Sequence, residues 1–150
     1  MLSVMLASRD AGAPLPAGGV CFSPWVDLEC SGESMGANDH LDDFIKYGGL
    51  SARAKAYLGD ADPKHPWASA LYADLRGLPP MLIHVGSAET LLDDSTRLAA
   101  LAKEAGVDVA LKIWEDMVHV WQVFASILPE GQESIEETGE FVRQRFGDPC

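Results

Sequence analysis

Three short apolar runs separated by amphipathic segments are the feature that most limits the folds open to this chain of 150 residues. They are Gly19 to Trp25, Met81 to Gly86 and Val109 to Trp114. The first two carry apolar residues on both faces, which is typical of parallel strands covered by helices on both sides. The third alternates around Lys112, so we expect one of its faces to be less buried or to lie near a sheet edge.

Helical patterns lie between and after these strands. Ser95 to Ala105 carries an apolar stripe that Gly106 ends, and this stripe consists of Leu98, Leu101, Ala102 and Ala105. Further helices are predicted at the amino terminus (Met1 to Arg9), over Ser51 to Leu58 before Gly59, and from about Glu133 to Phe146. Strands that alternate with helices predict an α/β fold with a doubly wound, mostly parallel sheet.

Composition narrows the classes of function. The formal net charge of −12 opposes binding to nucleic acid and to anionic membranes. No apolar run is long enough to predict a membrane span, and the first ten residues do not read as a signal peptide, so we expect a cytoplasmic protein. Three cysteines without CxxC spacing predict neither a disulfide framework nor a zinc site.

The segment 31–60 interrupts the strand–helix rhythm, because it is long, polar and glycine-bearing. Insertions of this kind after a strand form lids and substrate pockets in α/β folds. The amino-terminal helical pattern has no capping residue before it, and a sheet of three parallel strands leaves a buried edge without a partner. We therefore expect the chain to begin inside a larger fold.

Four motifs in order carry a family resemblance: SPWVDL after the first strand, SALYADLRGLPP before the second, ETLLDD after the second, and His119 after the third. In this combination the chain resembles the carboxyl-terminal half of the hormone-sensitive-lipase-like α/β-hydrolases, which include bacterial carboxylesterases and relatives termed lactone hydrolases. The resemblance implies a three-layer α/β-hydrolase fold. It places residues 1–150 in the carboxyl-terminal part of one such domain, with 31–60 as a lid-like or pocket-like insertion.

The family's serine nucleophile stands in a GDSAG elbow, downstream of an HGGG-type oxyanion motif. Neither motif occurs here, and none of the eleven serines lies in GxSxG. The helix at Met1 to Arg9 resembles the one that follows the nucleophile in the family. We therefore expect the nucleophile in a missing upstream segment and expect the 150-residue chain alone to be inactive.

The remaining members of the triad have candidates in this sequence. His119 follows the third strand by about five residues, which is where α/β sheets carry their sites, and the resemblance implies that it is the base. Aligned with the family's D-x-L-x-D pattern, Glu89 takes the first acidic position and Asp93 the second. Glu89 is the preferred acid and Asp93 the alternative, although these acids could also be ordinary first-turn helix residues.

Other residues receive smaller roles. His84 lies inside a strand and is interpreted as structural, and Asp27 is expected to order a turn through backbone N–H groups. Apolar side chains could line an acyl pocket or could simply pack in the core; these are Trp25, Met35, Phe44, Tyr47 and Trp121. Of these, we assign Trp25, Phe44, Tyr47 and Trp121 to substrate binding.

The sequence thus predicts a carboxylic ester hydrolase that acts on a small acyl ester or lactone through an acyl-enzyme. The resemblance implies no metal and no cofactor. The alternative is a non-catalytic ligand-binding module of the same fold, such as a receptor-like relative or a pseudoenzyme. By analogy with the family, the third strand could pair between two subunits of a homodimer.

Overall fold

A computed structural model describes residues 1–146, so Cys150 lies outside the described residues. Its centre is a parallel sheet of three strands, β1 (Gly19–Phe22), β2 (Met81–Gly86) and β3 (Val109–Trp114), in the order β1-β2-β3. Cys21 pairs with Ile83, which in turn pairs with Leu111. Because all three strands run the same way, their carboxyl ends and the loops that follow them lie along one edge of the sheet.

In the described range 1–146, five α-helices and two short 3₁₀ turns accompany the strands. The helices are α1 (Leu2–Asp10), α2 (Ser34–Ala37), α3 (Tyr47–Leu58), α4 (Leu92–Glu104) and α5 (Pro129–Phe146), and the 3₁₀ turns are Ala70–Tyr72 and Trp121–Phe124. Within residues 1–146, no helix combines the length and the apolar character that crossing a membrane requires.

Helices cover both faces of the sheet, which confirms the predicted three-layer α/β arrangement. On one face α1 and α4 share a core with the strands, in which Leu6, Ile83 and Leu98 are almost fully buried. On the other face α5 packs against β2, where the ring of His84 contacts Ser134. β3 pairs only with β2 among the described residues, so it forms one edge of the sheet, as its alternating pattern predicted.

The strand predictions for β2 and β3 are confirmed to the residue, but β1 is shorter than predicted. It ends at Phe22 because Ser23 adopts a left-handed backbone with φ of +45°, which turns the chain out of the extended conformation. The helix α4 begins at Leu92, one turn before the predicted start, and Leu101 of the predicted apolar stripe is 36% exposed. Its buried face includes Asp94 and Ser95 instead, which hydropathy alone assigns to the surface.

The turn after β1 is held by two buried carboxylates. Asp94 at the start of α4 accepts hydrogen bonds from the backbone N–H groups of Val26 (2.8 Å) and Asp27 (2.9 Å) through Oδ2, and its Oδ1 accepts no hydrogen bond from residues 1–146. Asp27 in turn accepts from the Ser31 backbone N–H (3.0 Å) and pairs with Arg97 (3.1 Å), so its predicted turn-ordering role is confirmed. Burial raises the pKa of Asp94 to about 7, and the nearby charge of Asp27 adds to this effect.

A close backbone approach fixes the loop after β3. A Cβ atom built on Gly86 would lie 2.0 Å from the carbonyl oxygen of Met117. Only glycine leaves room for this loop to cross the end of β2. The loop is further tied down by a bond from the Ala88 N–H to the same Met117 carbonyl (3.1 Å).

We therefore predict that Gly86→Ala destabilises the chain by at least about 2 kcal/mol, because the new methyl group must displace backbone rather than a flexible side chain. The measurement is urea-induced unfolding followed by circular dichroism. The matched control is Gly48→Ala in α3, where a Cβ would meet open space. It should leave stability unchanged or raise it by up to about 1 kcal/mol. Equal effects of the two substitutions would contradict the close approach.

We also predict that the Asp94→Asn variant becomes more stable relative to the wild-type chain as pH rises. The Asp94 carboxyl group has a pKa near 7 in the folded state, whereas a carboxyl group of the unfolded chain has a pKa of about 3.9. The protonated group therefore stabilises the folded state fully below pH 4, and this stabilisation is lost as pH rises from 4 to 7. Asparagine does not titrate, so the difference in unfolding free energy should change by up to about 4 kcal/mol over that window. Urea unfolding at several pH values measures it, and a constant difference would contradict the raised pKa.

Candidate active site

The loops that follow the three strands converge at the carboxyl edge of the sheet. Ser23 follows β1, Glu89 lies three residues after β2, and His119 lies five residues after β3. Hydrogen bonds join the second loop to the end of β3 and to the third loop: the Ser87 N–H donates to the carbonyl of Trp114 (2.8 Å), and the Asp116 N–H donates to Ser87 Oγ (2.9 Å). The parallel topology therefore brings residues from distant parts of the chain into one site.

The carboxylate of Glu89 is fully buried and satisfied by donors from three different segments. Its Oε1 accepts from the Gly86 N–H (2.5 Å) and from the Ser23 hydroxyl (2.8 Å), and its Oε2 lies 3.1 Å from His119 Nδ1. A buried carboxylate is costly unless it is paired and hydrogen-bonded. These bonds supply that compensation and fix the direction in which Oε2 points.

His119 is oriented by this carboxylate. An ionised carboxylate can only accept, so the ring must carry its proton on Nδ1 to make the 3.1 Å bond to Glu89. In the neutral ring the lone pair then lies on Nε2, on the opposite side from Glu89. The side chain is 20% exposed, in contrast to the fully buried Glu89. The arrangement can accept a proton at Nε2 and stabilise the resulting imidazolium through Glu89.

Asp93, the alternative acid, binds Ser34 and not His119. Asp93 Oδ2 accepts from the backbone N–H of Ser34 (2.9 Å), and the Asp93 N–H donates to Ser34 Oγ (3.0 Å). Asp93 thus joins the start of α4 to α2, and its carboxylate is occupied there. Of the two predicted acids, the structure brings Glu89 and not Asp93 into contact with His119.

The segment 31–60 packs on the loop that carries Glu89. Asn38 donates through Nδ2 to the carbonyls of Ser87 (3.1 Å) and Glu89 (3.0 Å). The buried carboxylate of Asp42 accepts from the Thr90 N–H (3.1 Å). Sequence reasoning missed Ser23, Asn38 and Asp42, because single polar residues in loops carry no periodic signal.

The predicted pocket residues divide into two groups. Phe44 and Tyr47 are 54% and 46% exposed, and the ring of Phe44 packs at 5.9 Å from that of Phe124. Trp25 is half-buried, with its indole N–H donating to the Asp27 carbonyl (3.0 Å). All three side chains keep part of their apolar surface exposed, and Tyr47 is the first residue of α3.

Trp121 differs from the expectation, and Met35 takes the packing alternative. Trp121 has no exposed surface, and its indole N–H points toward the Glu130 carbonyl (3.3 Å) while its ring packs against Trp114. Met35 is buried with Leu50 and Leu91 in a small second core. Both are packing residues because neither offers surface to a ligand, and the placement of Trp121 corrects its assignment as a substrate-binding residue.

The other histidines lie away from this pair. His84 is fully buried between β2 and α5, where its Nδ1 lies 2.7 Å from the Ser134 hydroxyl. Burial lowers the pKa of His84 to about 4, although the charge of Glu137 partly offsets this, so the ring is neutral at physiological pH. This agrees with its predicted structural role. His40 and His65 are exposed in loops.

Neither a serine partner nor a metal cluster occurs in the part of the chain that the structure describes. Within residues 1–146 the hydrogen bond made by the His119 ring goes to Glu89, and no serine hydroxyl bonds to Nε2. Over the same residues, no three His, Cys, Asp or Glu side chains are grouped closely enough to hold a metal ion.

Comparisons with known proteins agree on one family. A family model described as the alpha/beta hydrolase fold matches residues 1–123. An acetyl-hydrolase of Streptomyces hygroscopicus is 44% identical over 147 residues, which cover 98% of this chain and 49% of the relative. The crystal structure of an esterase from the bacterial hormone-sensitive lipase family superimposes with a TM-score of 0.95 at 51% identity, covering 97% of this chain and 49% of that one.

A further solved structure, EstE5 from a crystal soaked in p-nitrophenyl butyrate, superimposes with a TM-score of 0.92 at 47% identity over 96% of this chain and 48% of its own. The chain therefore spans about half the length of these relatives. The matched residues include all three strands and the Glu89 and His119 loops. The chain belongs to the α/β-hydrolase fold family, in the branch that contains the bacterial hormone-sensitive-lipase-like esterases.

Proposed function

We propose that this chain carries the base and the acid of a serine carboxylic ester hydrolase. The contact between His119 Nδ1 and the buried carboxylate of Glu89, at 3.1 Å, is the observation that supports this role most directly. In the proposed reaction, His119 Nε2 accepts the proton of a serine hydroxyl as that oxygen attacks the ester carbonyl. The imidazolium then returns the proton to the leaving alcohol, and water releases the acyl group from the serine by the reverse steps.

The nucleophile in this proposal comes from polypeptide outside these 150 residues. The sequence contains no GxSxG elbow, and the Ser23 hydroxyl beside the site donates its proton to Glu89. The chain then constitutes the carboxyl-terminal part of one α/β-hydrolase domain, with 31–60 as its pocket-forming insertion. By itself it has no catalytic activity, because neither the nucleophile nor the oxyanion donors are present.

The proposed substrates are small acyl esters or lactones. Trp25 follows β1 and Phe44 and Tyr47 belong to the segment 31–60, and their partly exposed apolar side chains suit an acyl or alcohol group rather than a charged substrate. The names of the similar proteins, an acetyl-hydrolase and an esterase, agree with ester substrates. A purely ligand-binding module would have no need of a buried carboxylate aimed at an imidazole, so the catalytic proposal is the better supported of the two.

We predict that the chain alone hydrolyses p-nitrophenyl butyrate no faster than buffer, and that joining it to the amino-terminal half of the Streptomyces acetyl-hydrolase yields an active enzyme. In this joined hydrolase His119→Ala should lower kcat by at least about 10³-fold, because the serine loses its proton acceptor. Initial rates followed by p-nitrophenol release provide the measurement. His65→Ala, a substitution at an exposed loop histidine, is the matched control and should retain activity within about twofold. Turnover by the chain alone, or His119→Ala activity within tenfold of the parent, would contradict the proposal.

We propose that β3 also forms the contact of a homodimer. It is the edge strand opposite β1 among the described residues, and Ile113 on it is 46% exposed. An unpaired strand edge with exposed apolar side chains is a template for pairing with a second chain.

Ile113→Lys should therefore convert the dimer to a monomer in sedimentation velocity, because a charge on the strand opposes edge pairing. Ile135→Lys on α5, at a residue that is similarly exposed (43%), is the control and should leave the dimer intact. A wild-type chain that sediments as a monomer at every concentration would refute the pairing.

A further inference from the structure

Ser23 connects both members of the Glu89–His119 pair. Its side chain is almost fully buried, and its hydroxyl donates to Glu89 Oε1 at 2.8 Å. The same oxygen accepts from the backbone N–H of Val120 at 3.3 Å, one residue beyond His119. A hydroxyl has one proton, which goes to the carboxylate because a carboxylate can only accept; a lone pair remains for Val120.

We propose that Ser23 is a positioning residue for the hydrolytic reaction: its hydroxyl holds the carboxylate of Glu89 and the loop of His119 in one fixed arrangement. This inference rests on the proposed function of that pair. The hydrogen bonds of the Ser23 hydroxyl within residues 1–146 go to Glu89 and to the backbone of Val120, so it acts through these two groups.

The backbone conformation at residue 23 does not favour a serine, so the hydroxyl group explains why a serine occupies this position. Ser23 has a φ of +45°, and Val120 has a φ of +52°, so both ends of the contact lie in the left-handed region. This conformation is unfavourable for non-glycine residues, and for β-branched valine most of all. Glycine would relieve the strain at residue 23 but would supply no hydroxyl.

Loss of the hydroxyl has a specific consequence for the pair. Glu89 Oε1 would keep only the Gly86 N–H as a donor among residues 1–146, and the carboxylate could rotate away from His119. The Val120 N–H would lose its acceptor at the same time. The ring of His119 would then no longer be held in the Nδ1-protonated form that leaves Nε2 free to accept a proton.

The experiment uses the full chain in the joined hydrolase described above, with Ser23→Gly and Ser23→Ala as a pair. Glycine removes the hydroxyl and relieves the backbone strain, whereas alanine removes the hydroxyl and keeps the Cβ. Both should lower kcat by roughly 10- to 100-fold with little change in KM, because each removes a hydrogen bond to a charged group of the proton-transfer pair. In nitrogen-15 histidine spectra, both should reduce the Nδ1-protonated fraction of His119.

Ser69→Ala provides the matched control. Ser69 is also a buried serine whose hydroxyl joins two loops, since it donates to the Pro63 carbonyl (2.6 Å) and accepts from the Leu28 N–H (2.8 Å). It makes no bond to the catalytic pair, so its loss should affect stability and leave the His119 spectrum unchanged.

The possible outcomes distinguish a failure of the proposed role of Ser23 from a failure of the proposed function. If His119→Ala and Glu89→Gln abolish activity while Ser23→Gly leaves both kcat and the His119 spectrum as in the parent, the role of Ser23 is refuted and the proposed function stands. If His119→Ala retains activity, the proposed function itself fails. A large effect of alanine without one of glycine would assign the effect to backbone strain and would also refute the role of the hydroxyl.

Discussion

The buried carboxylate of Glu89 is the interaction on which the arrangement of this site depends. It lies where three loops from three parallel strands meet, and it takes a donor or partner from each: the Ser23 hydroxyl, the Gly86 N–H and the imidazole of His119. Without these partners the burial of its charge would oppose folding by several kcal/mol. The same contacts that stabilise the charge therefore also determine the relative positions of the loops.

Strained backbone conformations and a close backbone approach lie around this carboxylate. Gly86 allows the β3 loop to cross the end of β2, and Ser23 and Val120 adopt left-handed conformations that cost about 1–3 kcal/mol each. The core on the α1 and α4 face, with Ile83 and Leu98 fully buried, provides the stability that compensates for this. Among residues 1–146, three of the four non-glycine residues with a positive φ lie on the loops of the candidate site, namely Ser23, Asp116 and Val120.

The regular parts of the fold could be predicted from the sequence, because the burial of a strand requires a regular pattern of apolar residues. β2, which is buried throughout, appears as a continuous apolar run, and β3, which is partly exposed, appears as an alternating one. Glu89 and His119 became candidates through the family resemblance of the motifs and not through periodicity. Two predictions were wrong: the end of β1 and the placement of Trp121 at the surface of the pocket. The end of β1 depends on the backbone angle of Ser23, and the burial of Trp121 depends on its neighbours Trp114 and Glu130, so neither is encoded in a local pattern.

The contacts that fix Glu89 and His119 bear on how the proposed enzyme would be assembled. Within residues 1–146, the hydrogen bonds that fix Glu89 and the loop of His119 come from the end of β2 and from the loops after β1, β2 and β3. The geometry of the Glu89–His119 contact is thus set by residues from all three strand ends of this chain. Under the proposed function, the segment that provides the nucleophile has to contribute only a hydroxyl and the oxyanion donors within reach of Nε2. Under the same proposal, a proton relay whose geometry is already set costs no reorganisation when the serine attacks, which is a physical reason to hold Glu89 with several hydrogen bonds.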